Sequence, residues 1–324
     1  MPEKVIYLGM DPSALHGADR RVIEEIGSQS GYRVLVSDDV RSFEMVIGKV
    51  VIAAGQVPRE RLAEAPALRW FQQFGSGCEW LIPREDIRNS DLLITNASDN
   101  HYNSLAEHVM AMVLTMTRQI HFSVRAQSER RWHRPAGKRP PELSDLTMLL
   151  LGVGSIGKRV AELATSFGMR TMGVRRNPTG SGTPLERCVT PEELLDILPE
   201  ADIVSNSMPL TPDTHGMINR EAFRAMKNTA LFFNVGRGKT VDETALIEAL
   251  QNDEIAGAGL DVFETEPLPP DSPLWEMRNV VITGHYAGSS ESSSQRRVEV
   301  FTDNLRRFVA GGNLRNVVDK RLYY

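Results

Sequence analysis

The feature that most narrows the fold of this chain is Gly152-Val153-Gly154-Ser155-Ile156-Gly157, set directly after the apolar run Met148-Leu149-Leu150-Leu151. A short apolar strand that passes through spaced glycines into a helix is the opening of a strand–helix–strand unit, and such units build parallel sheets covered by helices. The three glycines serve different ends. Gly152 permits the tight turn, Gly154 lets a ligand approach the backbone, and Gly157 lets the helix lie close to the strand. The helix start then offers free N–H groups and the positive end of its dipole, which suits a phosphate. A glycine spacing alone is a weak signal, but the flanking strand (Thr147 to Leu151), helix (Ile156 to Phe167) and second strand (Arg170 to Val174) make this one a dinucleotide site. Gly152, Gly154, Ser155, Ile156 and Gly157 are its expected contacts.

The second strand runs out into Val174-Arg175-Arg176-Asn177. A site for NAD usually places Asp or Glu here, about twenty residues past the fingerprint, on the ribose 2′-hydroxyl. A carboxylate would repel a 2′-phosphate, whereas a guanidinium forks onto it. Arg175 and Arg176 therefore favour NADP(H), with NAD(H) as the alternative and plain solvated charge as the bland reading.

Strand-like runs recur on both sides of this unit. Lys4 to Met10, Val34 to Ser37, Val46 to Ala53, Leu68 to Phe74 and Leu92 to Thr95 precede it. Ile203 to Ser207, Ala230 to Val235, Gly257 to Val262 and Val280 to Thr283 follow. Helical spacing marks Arg20 to Gly27, Ser104 to Gln119, Glu243 to Gln251 and Ser292 to Val309, and Thr190-Pro191-Glu192-Glu193 reads as a capped helix start. Arg118 to Pro141 carries Arg125, Arg130, Arg131, Arg134, Lys138 and Arg139. It reads as a solvated connector or, more sharply, a dimer arm.

The bulk composition excludes several classes. With 324 residues the chain holds two domains. A net charge of −5 gives no electrostatic reason for nucleic-acid binding. Cys78 and Cys188 are its two cysteines, so neither a disulfide scaffold nor a structural metal site is expected. The start lacks a basic segment followed by an apolar one, and no apolar run reaches membrane-spanning length. The expectation is a soluble, cytoplasmic protein.

Five blocks in order, Gly152 to Gly157, Pro209 to Thr214, Asn234 to Gly238, Gly257 to Pro267 and Thr283 to Gly288, resemble the D-isomer-specific 2-hydroxyacid dehydrogenases. The resemblance covers nearly the whole chain. The ending Asn316 to Lys320 and the compact length are most similar to the glyoxylate and hydroxypyruvate reductase branch. It implies an α/β fold of two doubly wound parallel-sheet domains, with a Rossmann cofactor domain (102–291) inserted into a flavodoxin-like substrate domain (1–101 and 292–324). The active site is then expected in the cleft between them, closed by a hinge near Ser104 and Ser292.

The resemblance also implies roles that fit the chemistry. Arg237 binds the substrate carboxylate and C2 oxygen, because a planar fork suits that pair. His285 donates a proton to the ketone oxygen. Glu266, rather than the nearby Glu264, hydrogen-bonds His285, fixes its tautomer and favours the imidazolium. No metal is needed. Pro209, Thr214, Val235, Gly236, Asp261 and Gly288 join the cofactor contacts, Asp261 at the nicotinamide end or else as a turn cap. In the first domain Gly75-Ser76-Gly77 matches a loop whose N–H groups hold the carboxylate, with an ordinary turn as the competitor.

The chain departs from the family pattern at three places. Gly284 stands where proline usually precedes the histidine, which is expected to loosen that loop. Tyr286 replaces an aliphatic residue, and Glu79-Trp80 replaces Asp-Asn. Trp80 and Tyr286 are expected to narrow the substrate pocket, and Trp132 to reach the partner's active site in a homodimer or to pack at its interface. The expected reaction is NADPH-dependent reduction of a small 2-oxo acid, glyoxylate or hydroxypyruvate, to the D-2-hydroxy acid. The alternatives are a dehydrogenase for bulkier acids such as phenylpyruvate and, outside enzymes, a nucleotide-sensing corepressor-like protein. A formate dehydrogenase would replace the glutamate partner of the histidine, and a phosphoglycerate dehydrogenase would carry a regulatory domain.

Overall fold

The computed structural model describes residues 3–134, 140–178, 182 and 184–324. Lys138 and Arg139 of the basic stretch lie outside the described residues. The chain divides into two compact units, Met1–Asn100 with Ser290–Tyr324, and His101–Ser289.

The first unit holds β1 (Lys4–Gly9), β2 (Tyr32–Ser37), β3 (Val50–Gly55), β4 (Trp70–Gln72) and β5 (Leu93–Thr95). They pair in parallel in the order β2-β1-β3-β4-β5, a doubly wound sheet that changes direction between β1 and β3. β3 (Val-Val-Ile-Ala-Ala-Gly) is buried along its whole length, as expected for a strand covered on both faces. The helix Glu291–Val309 belongs to this unit, and its Phe301 stacks on Trp70 with ring centroids 5.4 Å apart.

The second unit holds β6 (Thr147–Leu151), β7 (Arg170–Val174), β8 (Arg187–Val189), β9 (Ile203–Asn206), β10 (Leu231–Asn234), β11 (Gly257–Leu260) and β12 (Val280–Ile282). Their order, β12-β11-β10-β9-β6-β7-β8, is all-parallel and reverses at β6, as in a Rossmann sheet extended by one strand. Two apolar clusters pack this unit. One includes Leu149, Phe223 and Phe232; the other packs Val109 and Val113 of the helix Tyr102–Thr117 with Phe233 of β10.

Three local expectations change. The strand expected from Val46 begins only at Val50, because Asp39 accepts the Arg41 N–H and starts a helix, Val40–Val46, that runs into a 3-10 turn at Ile47–Lys49. The connector expected from Arg118 begins instead with a helix, Ile120–Ser128, after Gln119 turns the chain at φ 58°. Within it Arg125 is not simply solvated: its guanidinium donates to the carbonyls of Met277, Arg278 and Val280. β8 and the short helix Arg220–Ala225, capped by Asn219, were not expected from the sequence.

Among the described residues no helix is long and apolar enough to cross a membrane.

A buried polar network ties the carboxyl end of β4 to the last helix. Thr95 Oγ1 accepts from Trp70 Nε1 at 2.8 Å and donates to Gln72 Oε1 at 2.7 Å. Asn304 Nδ2 donates to Gln72 Oε1 and to the Arg315 carbonyl, both at 3.1 Å, and Asn304 Oδ1 accepts the Arg315 N–H at 2.7 Å. Asn304→Ala should therefore destabilise the first unit by about 2–4 kcal/mol in denaturant melts. A loss below about 0.5 kcal/mol, typical of a surface site, would show that the network carries no stability.

Candidate active site

In the second unit the residues singled out by sequence fall on loops that follow the carboxyl ends of β6, β7, β9, β10, β11 and β12. At the first of these, Gly152 has φ +91°, and a Cβ there would meet the Met208 backbone N at 3.1 Å. A Cβ on Gly157 would lie 2.1 Å from the Gly152 carbonyl oxygen, so only glycine lets the helix start this close to the strand.

Gly154 is different. Its backbone is extended and a Cβ there would meet nothing within 4 Å. Neither conformation nor packing demands glycine, so the open space suits a group from outside the chain. The helix Ser155–Ser166 that follows has no side-chain cap, which leaves its first-turn N–H groups available to an anion. These features fit the pyrophosphate of a dinucleotide.

Beyond β7, the Arg175 N–H is bonded to the Val189 carbonyl at 3.0 Å and its side chain is half-buried, while Arg176 is exposed. Pro209–Thr214 closes on itself: the Thr214 hydroxyl donates to the Pro209 carbonyl at 2.6 Å and accepts the Thr211 N–H at 2.8 Å. Val235 is buried, and a Cβ on Gly236 would meet the Met208 carbonyl oxygen at 2.8 Å.

β10, β11 and β12 are consecutive neighbours in the sheet, so the loops bearing Arg237, Glu266 and His285 lie side by side. Buried Asn206 and Asn234 shape the first of them. Asn206 Nδ2 donates to Asn234 Oδ1 at 3.1 Å and to Thr240 Oγ1 at 2.7 Å, while Thr240 Oγ1 donates to the Arg237 carbonyl at 2.6 Å. A Cβ on Gly238 would fall 1.8 Å from the Phe263 carbonyl carbon. That contact brings the Arg237 loop against the turn that carries Glu266.

Glu266 spans two partners. Its Oε1 accepts the Phe263 N–H at 2.9 Å and its Oε2 faces His285 Nδ1 at 2.6 Å. An ionised carboxylate only accepts, so Nδ1 carries the hydrogen of this contact and Nε2 is the ring nitrogen left able to exchange a proton. His285 itself sits at φ +54°, in the left-handed region. The expected loosening by Gly284 is offset by an anchor. The His285 N–H donates to the Asp261 carbonyl at 2.8 Å, and the Asp261 carboxylate accepts from Thr283 Oγ1 (2.6 Å), Tyr286 N (3.1 Å) and Ala287 N (3.1 Å).

Asp261 is 1% exposed, so in this chain its carboxylate acts as the clamp of the histidine loop. Behind it His108 Nε2 meets Thr283 Oγ1 at 3.0 Å, and its ring packs edge-on against Tyr286 with centroids 5.4 Å apart. Burial pushes the His108 imidazole below its ordinary value, against the pull of the Asp261 charge. Tyr286 remains 54% exposed beside His285. The Gly288 carbonyl accepts from Ser104 Oγ at 3.2 Å and lies 3.0 Å from His101 Nδ1. Among the described residues no group of three or more His, Cys, Asp or Glu could hold a metal ion.

In the first unit Gly75, Ser76 and Gly77 follow β4 in a loop. Trp80 does not stand free beside it: its ring packs edge-on against Phe71 at 5.9 Å and under the Arg59 guanidinium at 5.4 Å. Trp132 of the second unit is 85% exposed. The sequence attached no role to Gln73, Asn206, Thr240 or Thr283. Their common signal is a polar residue within a few positions of a buried strand's carboxyl end.

A Rossmann sheet with a dinucleotide turn, an arginine and a carboxylate-held histidine on adjacent strand ends defines a nicotinamide-dependent oxidoreductase. Residues 110–287 match the family model for the D-isomer specific 2-hydroxyacid dehydrogenase, NAD binding domain. The chain is 34% identical over 279 residues to a glyoxylate reductase of Korarchaeum cryptofilum, covering 84% of this chain and 82% of that protein. It is also similar to the crystal structure of a D-isomer specific 2-hydroxyacid dehydrogenase from Xanthobacter autotrophicus Py2 in complex with NADPH and MES. There the TM-score is 0.80 and the identity 31%, over 99% of both chains. An NADPH-dependent glyoxylate/hydroxypyruvate reductase from Sinorhizobium meliloti, in complex with NADP and sulfate, gives a TM-score of 0.82 and 26% identity over 99% of this chain and 100% of that one. The chain belongs to the D-isomer specific 2-hydroxyacid dehydrogenase family and is an NAD(P)-dependent enzyme.

The three glycines should separate in calorimetry. Gly154→Ala should shift stability by less than about 1 kcal/mol, because its backbone suits any residue. It should nevertheless weaken dinucleotide binding by about tenfold or more, a loss of ~1.4 kcal/mol. Gly157→Ala should lower stability by about 1–3 kcal/mol, since the Gly152 carbonyl must move. Unchanged affinity in Gly154→Ala would remove the pyrophosphate from this turn.

Proposed function

We propose that this enzyme reduces a small 2-oxo acid of the glyoxylate or hydroxypyruvate type to the D-2-hydroxy acid, with NADPH preferred over NADH. The observation that carries the reading is the 2.6 Å contact between His285 Nδ1 and Glu266 Oε2 on a loop neighbouring that of Arg237. When bound, the reduced nicotinamide supplies the hydride.

The residues of the chain do the rest. The Arg237 guanidinium holds the substrate carboxylate and polarises the C2 oxygen, which orients the ketone and draws off developing charge. His285 Nε2 gives its proton to that oxygen as it becomes an alkoxide, and recovers one in the reverse direction. Glu266 keeps the ring in the required tautomer, and Asp261 holds the loop on which the ring stands. In the first unit the Gly75–Gly77 loop offers backbone N–H groups to a carboxylate.

Arg175 and Arg176, with no carboxylate at the end of β7, support the choice of NADPH. So do the NADPH and NADP bound in the Xanthobacter and Sinorhizobium structures. The exposed apolar residues Ile120 and Val124 and the exposed Trp132 support a homodimer in which this region meets a second copy.

Absorbance at 340 nm tests the reading, with glyoxylate, hydroxypyruvate, pyruvate and phenylpyruvate each offered with NADPH and NADH. Fast NADPH oxidation with the small acids is expected. Turnover confined to phenylpyruvate would move the assignment to bulkier acids and make exposed Tyr286 the residue to examine. His285→Gln should lower kcat by about 10²–10⁴-fold with little change in KM for NADPH. Arg175→Asp combined with Arg176→Ala should raise KM for NADPH far more than for NADH, and an unchanged preference would defeat the arginine argument.

A further inference from the structure

The helix Tyr102–Thr117 lies against β11: a Cβ on Gly257 would meet Met116 Cε at 2.6 Å, and one on Gly259 would meet Met112 Sδ at 3.1 Å. Residues four apart share a helix face, so His108, one turn before Met112, stands on the side that faces the sheet. Its Nε2 reaches Thr283 Oγ1 at 3.0 Å and lies 3.8 Å from Asp261 Oδ1.

The direction of these hydrogen bonds follows from what each atom can do. Thr283 Oγ1 is 2.6 Å from Asp261 Oδ1. An ionised carboxylate only accepts, and a hydroxyl has one hydrogen to give, so Thr283 commits it to Asp261. Toward His108 the hydroxyl is then only an acceptor, and His108 Nε2 must be the donor. Burial pushes the His108 imidazole below its ordinary value, so at neutral pH the ring is uncharged and its one hydrogen sits on Nε2. His285 has the opposite arrangement, with its hydrogen on Nδ1 facing Glu266.

A hydroxyl rotates to suit its neighbours. The His108 N–H occupies one side of Thr283 Oγ1 and turns the hydroxyl hydrogen to the other, onto Asp261. Asp261 in turn holds the chain on both sides of His285. It accepts from the Thr283 side chain before that residue and from the N–H groups of Tyr286 and Ala287 after it. His285 depends on such a hold, because its backbone stands at φ +54°, where few side chains settle.

We propose that His108 is a positioning residue for proton transfer at His285. Its Nε2–H directs the Thr283 hydroxyl onto Asp261 and so fixes the loop on which the His285 ring stands. This rests on the reading of His285 as the proton donor. It places a second histidine in the reaction without contact with substrate, acting through the side of the loop that faces the helix.

The test uses the full-length enzyme. His108→Leu, which fills the space but donates nothing, should lower kcat by about tenfold, or ~1.4 kcal/mol, while KM for NADPH changes less than about twofold. His108→Gln, whose amide N–H can take the place of Nε2–H, should keep kcat within about threefold of the wild type. Thr283→Val should also cost about tenfold, and the double variant with His108→Leu should be no worse than about the poorer single one. An unchanged kcat in His108→Leu, a His108→Gln enzyme as slow as His108→Leu, or effects that multiply in the double variant overturns the proposal.

Long-range proton–nitrogen NMR of the histidine-labelled enzyme separates this from the reductase reading. If the wild type turns over no 2-oxo acid, that reading fails by itself. A His108 hydrogen on Nδ1 then overturns the role of His108 as well. A hydrogen on Nε2, with His285 ring signals that shift in Thr283→Val, supports its hold on the loop. The same measurement serves if His108→Leu does not fold.

Discussion

A parallel strand that ends inside a protein leaves its last peptide groups beyond the reach of the ladder, and each unmet buried group costs about 1–3 kcal/mol. This chain meets that constraint with side chains. Asn206 answers for the loop after β9, Asn234 and Thr240 for the loop after β10, Glu266 for the loop after β11, Asp261 for the loop after β12, and Gln72 and Gln73 for the loop after β4. Because all strands of a parallel sheet end on the same edge, satisfying the backbone there also shapes the only edge from which loops can deliver chemistry. Stability and site geometry are the same set of hydrogen bonds.

The glycines complement these caps. Where an amide or carboxylate pulls a loop inward, a missing Cβ lets the neighbouring loop follow: Gly236 against Met208, Gly238 against Phe263, Gly157 against Gly152. Arg237 owes its setting to both devices. Its carbonyl is held by Thr240, and the residue after it is the one that touches the Glu266 turn. The histidine loop relies on hydrogen bonds, the Asp261 clamp chief among them, since a Cβ on Gly284 would touch nothing and supplies no packing constraint.

Much of this was legible in the sequence, and the gaps have physical causes. The doubly wound sheets follow from short apolar runs separated by helices, and the turn at Gly152 from its glycines, because those signals are local. Val46 to Ala53 reads as one strand since periodicity cannot separate the end of a short helix from a strand, and only the Asp39 cap divides them. β8 was missed because it is three residues long and begins with an exposed arginine. At the site, Arg237, Glu266 and His285 are recognisable because their motifs are compact. The pairing of His108 with Thr283 crosses 175 residues, and that of Asn304 with Gln72 crosses 232, so no local pattern announces them. Trp80 illustrates the remaining difficulty: its identity as a departure was visible, but the direction its indole faces was not.

The left-handed backbone at His285 restricts how this site can change over evolutionary time. Few side chains tolerate that conformation; glycine does so freely, Asn, Asp and His are enriched there, and β-branched residues are strongly disfavoured. A lineage drifting away from the histidine thus has a short list of stable neighbours, none of which combines a near-neutral proton exchange with the same backbone. The clamp that makes the loop rigid enough for one chemistry leaves the position little room to explore another.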